Sequence, residues 1–362
     1  MEIYLVGGYV RDHFLRKEFH YDIPEGDRDW VVVGTTPQEM LEKGFLPVGK
    51  DFPVFLHPKT HEEYALARTE RKVAPGYHGF TFHASPDVTL VEDLHRRDLT
   101  INAMAMQGET LYDPYNGLAD LKSKTLRHVS DAFKEDPVRI LRVARFCAKL
   151  EDFNVADETM NLMKTMVECG EADALVPERV FLEMRKAFTH RHCDQFISVL
   201  MNCGLGQKLF SDLNLTKDIL ERLTQAHDAN LGECEKFAIL TANATSIDAI
   251  NNFFKKLKPS SEIMDLCRLW HRMKSEFIVS PEGLLSVMEK SDAFRRPQRY
   301  EQLINVASLM LGINASIWHQ AKEVASSVNT AEIAQNTIDK KDIPNRIHEA
   351  RLLAIKDIKD FV

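Results

Sequence analysis

The chain has 362 residues, more than one ordinary domain holds, so two or three are expected. Hydrophobic residues at 44% and charged residues at 28% are the profile of a globular protein with a sizeable core, and the sparse Gly (16) and Pro (14) exclude a fibrous or largely disordered chain. The formal charge of −8 excludes a whole-chain basic footprint, so any contact with nucleic acid has to use a local patch.

In chain order, a short strand over 3–6 ends at Gly7-Gly8, and Tyr9 to about Lys17 reads as a helix. Trp30 to Val33 is a β-branched strand closed by Gly34. Thr36-Pro37-Gln38-Glu39 is a capping box with Pro at the first helical position and opens a helix that runs to Gly44. Phe52 to Leu56 and Glu63 to Arg68 read as strands. The polar stretch from Thr69 to Pro86, with Gly76 and Gly79, reads as a mobile loop. From about Leu126 the texture turns helical, over 135–150, 156–169, 177–189 and 193–203, and it stays helical past 206. The expected fold class is α+β, with a head of mixed sheet and helices over 1–124, an all-α neck over 125–205, and a helical body and tail over 206–362.

No apolar run approaches the roughly 18 residues that span a bilayer. The opening MEIYLVGGYVRD has neither a basic n-region nor a signal-type apolar stretch, so a cytoplasmic chain without membrane contact is expected. The six Cys lie far apart with no CxxC pair, which leaves neither a zinc knuckle nor a redox motif and points to buried thiols.

The sharpest local feature is Asp27-Arg28-Asp29 entering a strand. Alternation along a strand would put Asp27 and Asp29 on one face with Arg28 opposed. Two aligned carboxylates repel unless a cation sits between them, and Mg²⁺ binds through one or two carboxylates plus substrate phosphates. Taken alone, the pair also fits a solvated acidic turn. Gly7-Gly8 shifts the balance. A glycine turn between strand and helix lets backbone N–H groups approach a triphosphate, the helix N-terminus adds a favourable dipole, and Arg11 can reach the same phosphates.

LVGGYVRD, DRDWVVVG, HEEYALARTERK, HRRDLTINAMA, DPYNGLADL and EDPVRILRVARF together closely resemble the bacterial class II CCA-adding enzymes (tRNA nucleotidyltransferases), within the DNA polymerase β-like nucleotidyltransferase superfamily. The resemblance is strong over roughly 1–205 and weak beyond. It implies a polymerase β-like head that adds or repairs the 3′-terminal CCA of tRNA from CTP and ATP without a nucleic-acid template, with Mg²⁺ as cofactor. Poly(A) synthesis is the alternative in the same superfamily. It also implies roles for particular residues. Asp27 and Asp29 match the metal-binding pair, Gly8 and Arg11 the triphosphate contacts, and Arg97 the arginine that meets the incoming nucleotide. Asp98 and Asn102 fall in the same motif. Glu63 is the best candidate for a third carboxylate; otherwise it is an exposed strand residue.

At about 100° per residue, Arg139, Arg142, Arg145 and Lys149 share one helix face opposite Ile140, Leu141, Ala144 and Ala148. Periodicity alone describes an amphipathic helix with a solvated basic side. The resemblance makes it the nucleotide-binding segment, with Asp136 and Arg139 reading the base and Arg142 and Arg145 as further contacts. The chemistry agrees. Cytosine and adenine each offer an amino donor beside a ring-nitrogen acceptor, which a carboxylate next to a guanidinium complements; uracil and guanine offer the reverse.

His57 and His61 have the i, i+4 spacing of zinc helices, but Pro58 and flanking strands argue against a metal. Some relatives carry a C-terminal HD phosphohydrolase domain. Here His227-Asp228 stands alone, and Thr241-Ala242-Asn243 occupies the register where a His-Asp pair would fall, so a metal-free, degenerate HD-like remnant is expected. The segment 17–26 is longer than the family pattern.

Overall fold

The computed structural model describes residues 1–48, 54–72 and 80–358, without the side chains of 70–72 and 80–83. It divides into two compact units. One comprises Met1–Ala187 with Gln195–Lys208, the other Phe188–Asp194 with Leu209–Val362.

The first unit opens with β1 (Glu2–Val6), α1 (Gly8–Lys17), β2 (Asp29–Val33) and α2 (Pro37–Glu42). The capping box is present at α2. Thr36 accepts from the Glu39 N–H, and the Glu39 side chain accepts from Thr36. β3 (Leu46–Val48), β4 (Val54–Leu56) and β5 (Glu63–Leu66) follow, then β6 (Arg68–Lys72), β7 (Phe80–Ala84), α3 (Leu90–His95), β8 (Ala105–Gln107), β9 (Thr110–Tyr112) and α4 (Gly117–Lys122). Seven strands form one mixed sheet in the order β3-β4-β5-β2-β1-β8-β9, and β2 and β5 run parallel.

Two expectations need correction. The stretch 69–86 is not a plain loop, because β6 and β7 pair antiparallel as a separate ribbon, Arg68 opposite Ala84 through Lys72 opposite Phe80. The Phe80-Thr81-Phe82 run has the aromatic and β-branched character that favours strand, and each strand satisfies the other's backbone groups. Gly76 and Gly79 lie outside the described residues, as do Phe52 and Pro53 of the strand expected from Phe52. The second correction concerns the acidic pair. β2 begins at Asp29, so Asp27 precedes the strand and alternation does not fix its direction.

Alternation within β2 organises the core. Val31 packs on one sheet face with Tyr4, Val6, Leu94 and Ala105, and Val32 packs on the other with Met40, Phe55, Tyr64 and Leu66. After β10 (Thr125–Leu126) come α5 (Val138–Lys149), β11 (Asn154–Val155), α6 (Asp157–Glu168), α7 (Pro177–Phe188), α8 (Cys193–Asn202) and α9 (Leu205–Leu209). A 3₁₀ turn over Asp131–Glu135 takes the place of the first turn expected for the helix at 135–150.

The second unit is helical from α10 (Lys217–Asp228) and α11 (Glu233–Leu240) through α12 (Ile247–Lys255), α13 (Ser261–Met273), α14 (Pro281–Lys290), α15 (Pro297–Leu311), α16 (Ala315–Ser326) and α17 (Thr330–Asn336) to α18 (Ile343–Lys356). Phe237, Phe253, Trp270, Tyr300 and Trp318 are fully enclosed in it. Among the described residues no helix is long and apolar enough to cross a membrane.

Candidate active site

A cleft of about 690 Å³ opens in the first unit. Part of its wall is one face of the central sheet. Asp29 and Val31 of β2 and Glu63 and Ala65 of β5 all line it. Asp29 stands in register with Glu63 on the neighbouring parallel strand, and in-register residues of parallel strands share a face. Glu63, the candidate third carboxylate, therefore stands beside Asp29.

Burial is the largest influence raising the Asp29 carboxyl above its ordinary range, and Glu63 and Asp27 add repulsion against the opposing pull of Arg97. Asp27 therefore lies within electrostatic reach although it is not part of the cleft wall. Arg28 does not line the cleft. It pairs with Glu25 at 3.2 Å, and its guanidinium lies 5.3 Å from the centre of the Tyr9 ring.

The turn into α1 forms another part of the wall. Gly7 has φ +70°, a conformation that strains any L side chain, and a Cβ there would stand 3.0 Å from Arg97 Nη1, which would have to give way. No side chain caps α1, and no acidic residue stands in its first turn. Its amide groups at Gly7-Gly8 border the cleft as an anion-binding terminus does. Arg11, one turn on, lines the cleft although it is only 4% exposed.

Among the described residues seven arginines line the cleft (Arg11, Arg68, Arg96, Arg97, Arg139, Arg142 and Arg179), and no lysine does. Planar guanidinium groups suit phosphate oxygens and base edges better than point-charge ammonium groups. Asp93, fully buried on α3, is an anchor that sequence reasoning missed. It accepts from Arg96 Nη2 at 2.9 Å, from Arg97 Nη2 at 3.1 Å and from the Arg68 N–H at 3.3 Å. Burial alone would raise its carboxyl, but Arg96 and Arg97 reverse that and leave it below its ordinary range. Arg97 Nε is buried and finds no hydrogen-bond partner among the described residues.

The basic stripe of α5 is not a solvated face. Arg139 donates to the Arg96 carbonyl at 2.6 Å, Arg142 to Asp98 at 2.6 Å, Arg145 to Glu183 at 2.5 Å and Lys149 to Asp12 at 3.2 Å. Asp136 and Arg139 both line the cleft, and Asp136 Oδ1 also accepts from the Val138 N–H at 3.0 Å. Arg145 is outside the wall. Arg179 and Glu183 of α7 are inside it, and no local sequence signal marked them. Asp98 accepts from Arg142, Asn102 Nδ2 and the Leu99 N–H. Burial pushes its carboxyl up, but Arg142, Asn102 and Arg139 together hold it far below the usual range.

The carboxylate set fits a hard divalent cation. Asp29 is an oxygen donor repelled by Glu63 and Asp27, and a dication would relieve that repulsion. Among the described residues, no three His, Cys, Asp or Glu side chains converge closely enough to hold a metal ion by themselves. A ligand's oxygens would have to complete the coordination, as is usual for Mg²⁺ beside phosphates. His57, by contrast, uses Nδ1 to accept turn N–H groups from Lys59 and Thr60.

Residues 3–127 match the family described as poly A polymerase head domain, and 152–216 match the probable RNA and SrmB-binding site of polymerase A. The chain is 42% identical over 360 residues to the CCA-adding enzyme of Bordetella bronchiseptica, covering 98% of this chain and 96% of that one. It is 45% identical over 338 residues to the CCA-adding enzyme of Coxiella burnetii, covering 92% and 88%. Its fold is that of the Bacillus stearothermophilus CCA-adding enzyme solved in complex with CTP, with a TM-score of 0.68 at 20% identity, over 98% of this chain and 89% of that one. Identity above 40% across nearly the whole length settles the assignment: the chain belongs to the family of CCA-adding enzymes.

Proposed function

We propose that this protein adds the 3′-terminal C, C and A to tRNA, using CTP and ATP, without a nucleic-acid template. The observation that carries this reading is a single cleft lined by Asp29 and Glu63, the Gly7-Gly8 turn, the arginines of the head, and Asp136 with Arg139. The terminal hydroxyl of tRNA attacks the α-phosphorus, the bond to the β-phosphate oxygen breaks, and pyrophosphate leaves.

Arg11, Arg97 and the open end of α1 grip the triphosphate. The unpartnered Nε–H of Arg97 supplies a donor in want of an acceptor. Asp136 accepts from the amino group of cytosine or adenine, and Arg139 donates to the ring nitrogen. Uracil or guanine would set acceptor against acceptor and donor against donor, at about 1–3 kcal/mol for each mismatched buried group. Arg142 braces Asp98, and Arg145 braces Glu183 of α7, so both steady the wall. Asp29 and Glu63, with Asp27, would hold Mg²⁺, which when bound activates the attacking oxygen and stabilises the leaving one. The setting is cytoplasmic, where tRNA lacking its CCA end meets both nucleotides. The second unit is a metal-free HD-like remnant that serves as a helical body.

The test is extension of a tRNA transcript lacking CCA. CTP alone should give two additions, and CTP with ATP three and then arrest. ATP-only tails of growing length would instead assign poly(A) synthesis.

A further inference from the structure

Six side chains close a hydrogen-bonded ring beside the cleft. It leaves α5 at Arg142, whose Nε donates to Asp98 at 2.6 Å. Asn102 Nδ2 donates to the same carboxylate at 3.0 Å, and Arg11 Nη1 donates to Asn102 Oδ1 at 2.6 Å. Arg11 Nε donates to Asp12 Oδ1 at 2.7 Å, and Lys149 Nζ donates to Asp12 Oδ2 at 3.2 Å. Lys149 returns the ring to α5, two turns beyond Arg142.

Asp12 is 6% exposed and is not part of the cleft wall. Its two oxygens divide their work. Oδ1 accepts from Nε of Arg11 at 2.7 Å and has Nη2 in ion-pair contact at 2.7 Å, and Oδ2 takes the lysine. A guanidinium carries five N–H donors in one rigid plane. With Nε bonded to Asp12 and Nη1 to Asn102, the plane is fixed from two edges, and N–H donors remain on both terminal nitrogens. Nη2 lies 3.6 Å from where a Cβ on Gly8 would stand, so these donors sit against the Gly7-Gly8 turn.

We propose that Asp12, backed by Lys149, is a positioning residue for the triphosphate: it sets the plane of Arg11 so that the remaining N–H donors of its terminal nitrogens meet phosphate oxygens. This rests on the reading of the cleft as the nucleotide site. Because the ring starts and ends on α5, which also carries Arg139, one rigid helix holds both the base-reading arginine and the phosphate-gripping one. Lys149 offsets the Asp12 charge, so Arg11 keeps its pull on an anion.

Two substitutions separate orientation from plain charge. Asp12→Asn keeps the shape and makes the site one charge more positive, so a simple field effect would tighten anion binding. Asp12→Glu keeps the charge and moves the carboxylate by one methylene, so a simple field effect would change nothing. Orientation predicts that both weaken binding. The measurement is calorimetric titration of the full chain with inorganic tripolyphosphate and, separately, with CMP, in metal-free buffer at fixed ionic strength.

Both variants should bind tripolyphosphate roughly tenfold more weakly, with CMP changed by less than about twofold. In extension assays KM for CTP and for ATP should rise by the same factor. Asp12→Asn binding tripolyphosphate as tightly as the parent, or Asp12→Glu unchanged, overturns the inference. If one variant loses its cooperative unfolding transition, the other decides. If both do, Lys149→Met decides, and unaltered tripolyphosphate affinity there refutes the role. A parent chain that binds tripolyphosphate but extends no tRNA defeats the functional reading alone. One that extends tRNA but binds no tripolyphosphate defeats this inference alone.

Discussion

Arg142 Nε meets the Asp98 carboxylate at 2.6 Å, tying α5 to the segment that carries Arg96 and Arg97. Asp98 is almost wholly enclosed, whereas the Arg142 side chain keeps 39% of its surface in solvent. The pair therefore lies between a surface ion pair and a fully desolvated one. Its contribution to stability is about 1.5–3 kcal/mol, the range for a hydrogen bond to a charged group.

The pH dependence of that contribution has a definite sign. The folded Asp98 carboxyl is held far below its ordinary range, while the unfolded chain titrates near 3.9, a value of about that size for free aspartate. The stabilisation is fully present above the unfolded value and is lost as pH falls toward the folded one. Urea unfolding of Asp98→Asn against the parent should show the full gap at pH 7 and pH 5, and a smaller gap at pH 3. A gap that does not change with pH would mean that Asp98 contributes through shape, not charge.

The in-register pair Asp29 and Glu63 makes separable predictions for turnover. Asp29→Asn should lower CTP incorporation by about 10³-fold or more, since it removes an oxygen donor from the reacting centre. Glu63→Gln should cost roughly 10–100-fold, as loss of a supporting carboxylate at a metal site does. Nucleotide binding measured without metal should survive both changes and tighten slightly, because each removes negative charge beside a triphosphate. Full activity in Glu63→Gln would return Glu63 to an ordinary strand residue.

What the sequence makes legible follows from how local each signal is. The Thr36–Glu39 box, the β2 strand and the helix at Val138 each depend on a few neighbouring residues, and each is present. The Asp29–Glu63 neighbourhood needed a guess at strand order, and the family motifs supplied it. The fate of the α5 stripe was not legible from periodicity. An amphipathic pattern cannot distinguish arginines in water from arginines spent on Asp98 and Glu183, partners 44 and 38 residues away. Arg179 and Glu183 were invisible for the same reason, as was Asp93, whose burial sets the arginine pair. The β6–β7 ribbon was missed because polar residues around two glycines look like a loop until a second strand pairs with the first.

His227-Asp228 makes a prediction about the second unit. Asp228 is held by Arg191 through two bonds, at 2.8 Å and 3.0 Å. His227 Nδ1 lies 3.4 Å from Lys236 Nζ. Two cationic side chains thus attend the doublet, and they lower the attraction for a metal ion. Phosphohydrolysis of 2′,3′-cyclic phosphates by the purified protein should not rise with added divalent metal, and His227→Ala should leave the rate unchanged. Metal-dependent activity that disappears in His227→Ala would establish a working hydrolase in this unit.

The cysteines differ in both access and acidity, and the two effects act in the same direction. Cys147, Cys193 and Cys267 are buried, and burial pushes their thiols up to about 12, about 11 and about 12. Cys203 is buried and raised as well. Cys234 is half-buried and raised to about 11, by burial first and then by Glu235, Glu233 and Glu262. Cys169, at the end of α6, is exposed. The thiolate is the reactive form, so a thiol pushed from its free value near 8.5 up to about 11 or about 12 alkylates orders of magnitude more slowly even when reached. Iodoacetamide at pH 8 should therefore modify the native chain once, at Cys169, as read by mass spectrometry of tryptic peptides. In urea all six should react. Cys169→Ser should remove the fast native event. A second rapid modification at Cys147 or Cys267 would show that α5 or α13 opens far more readily than its packing implies.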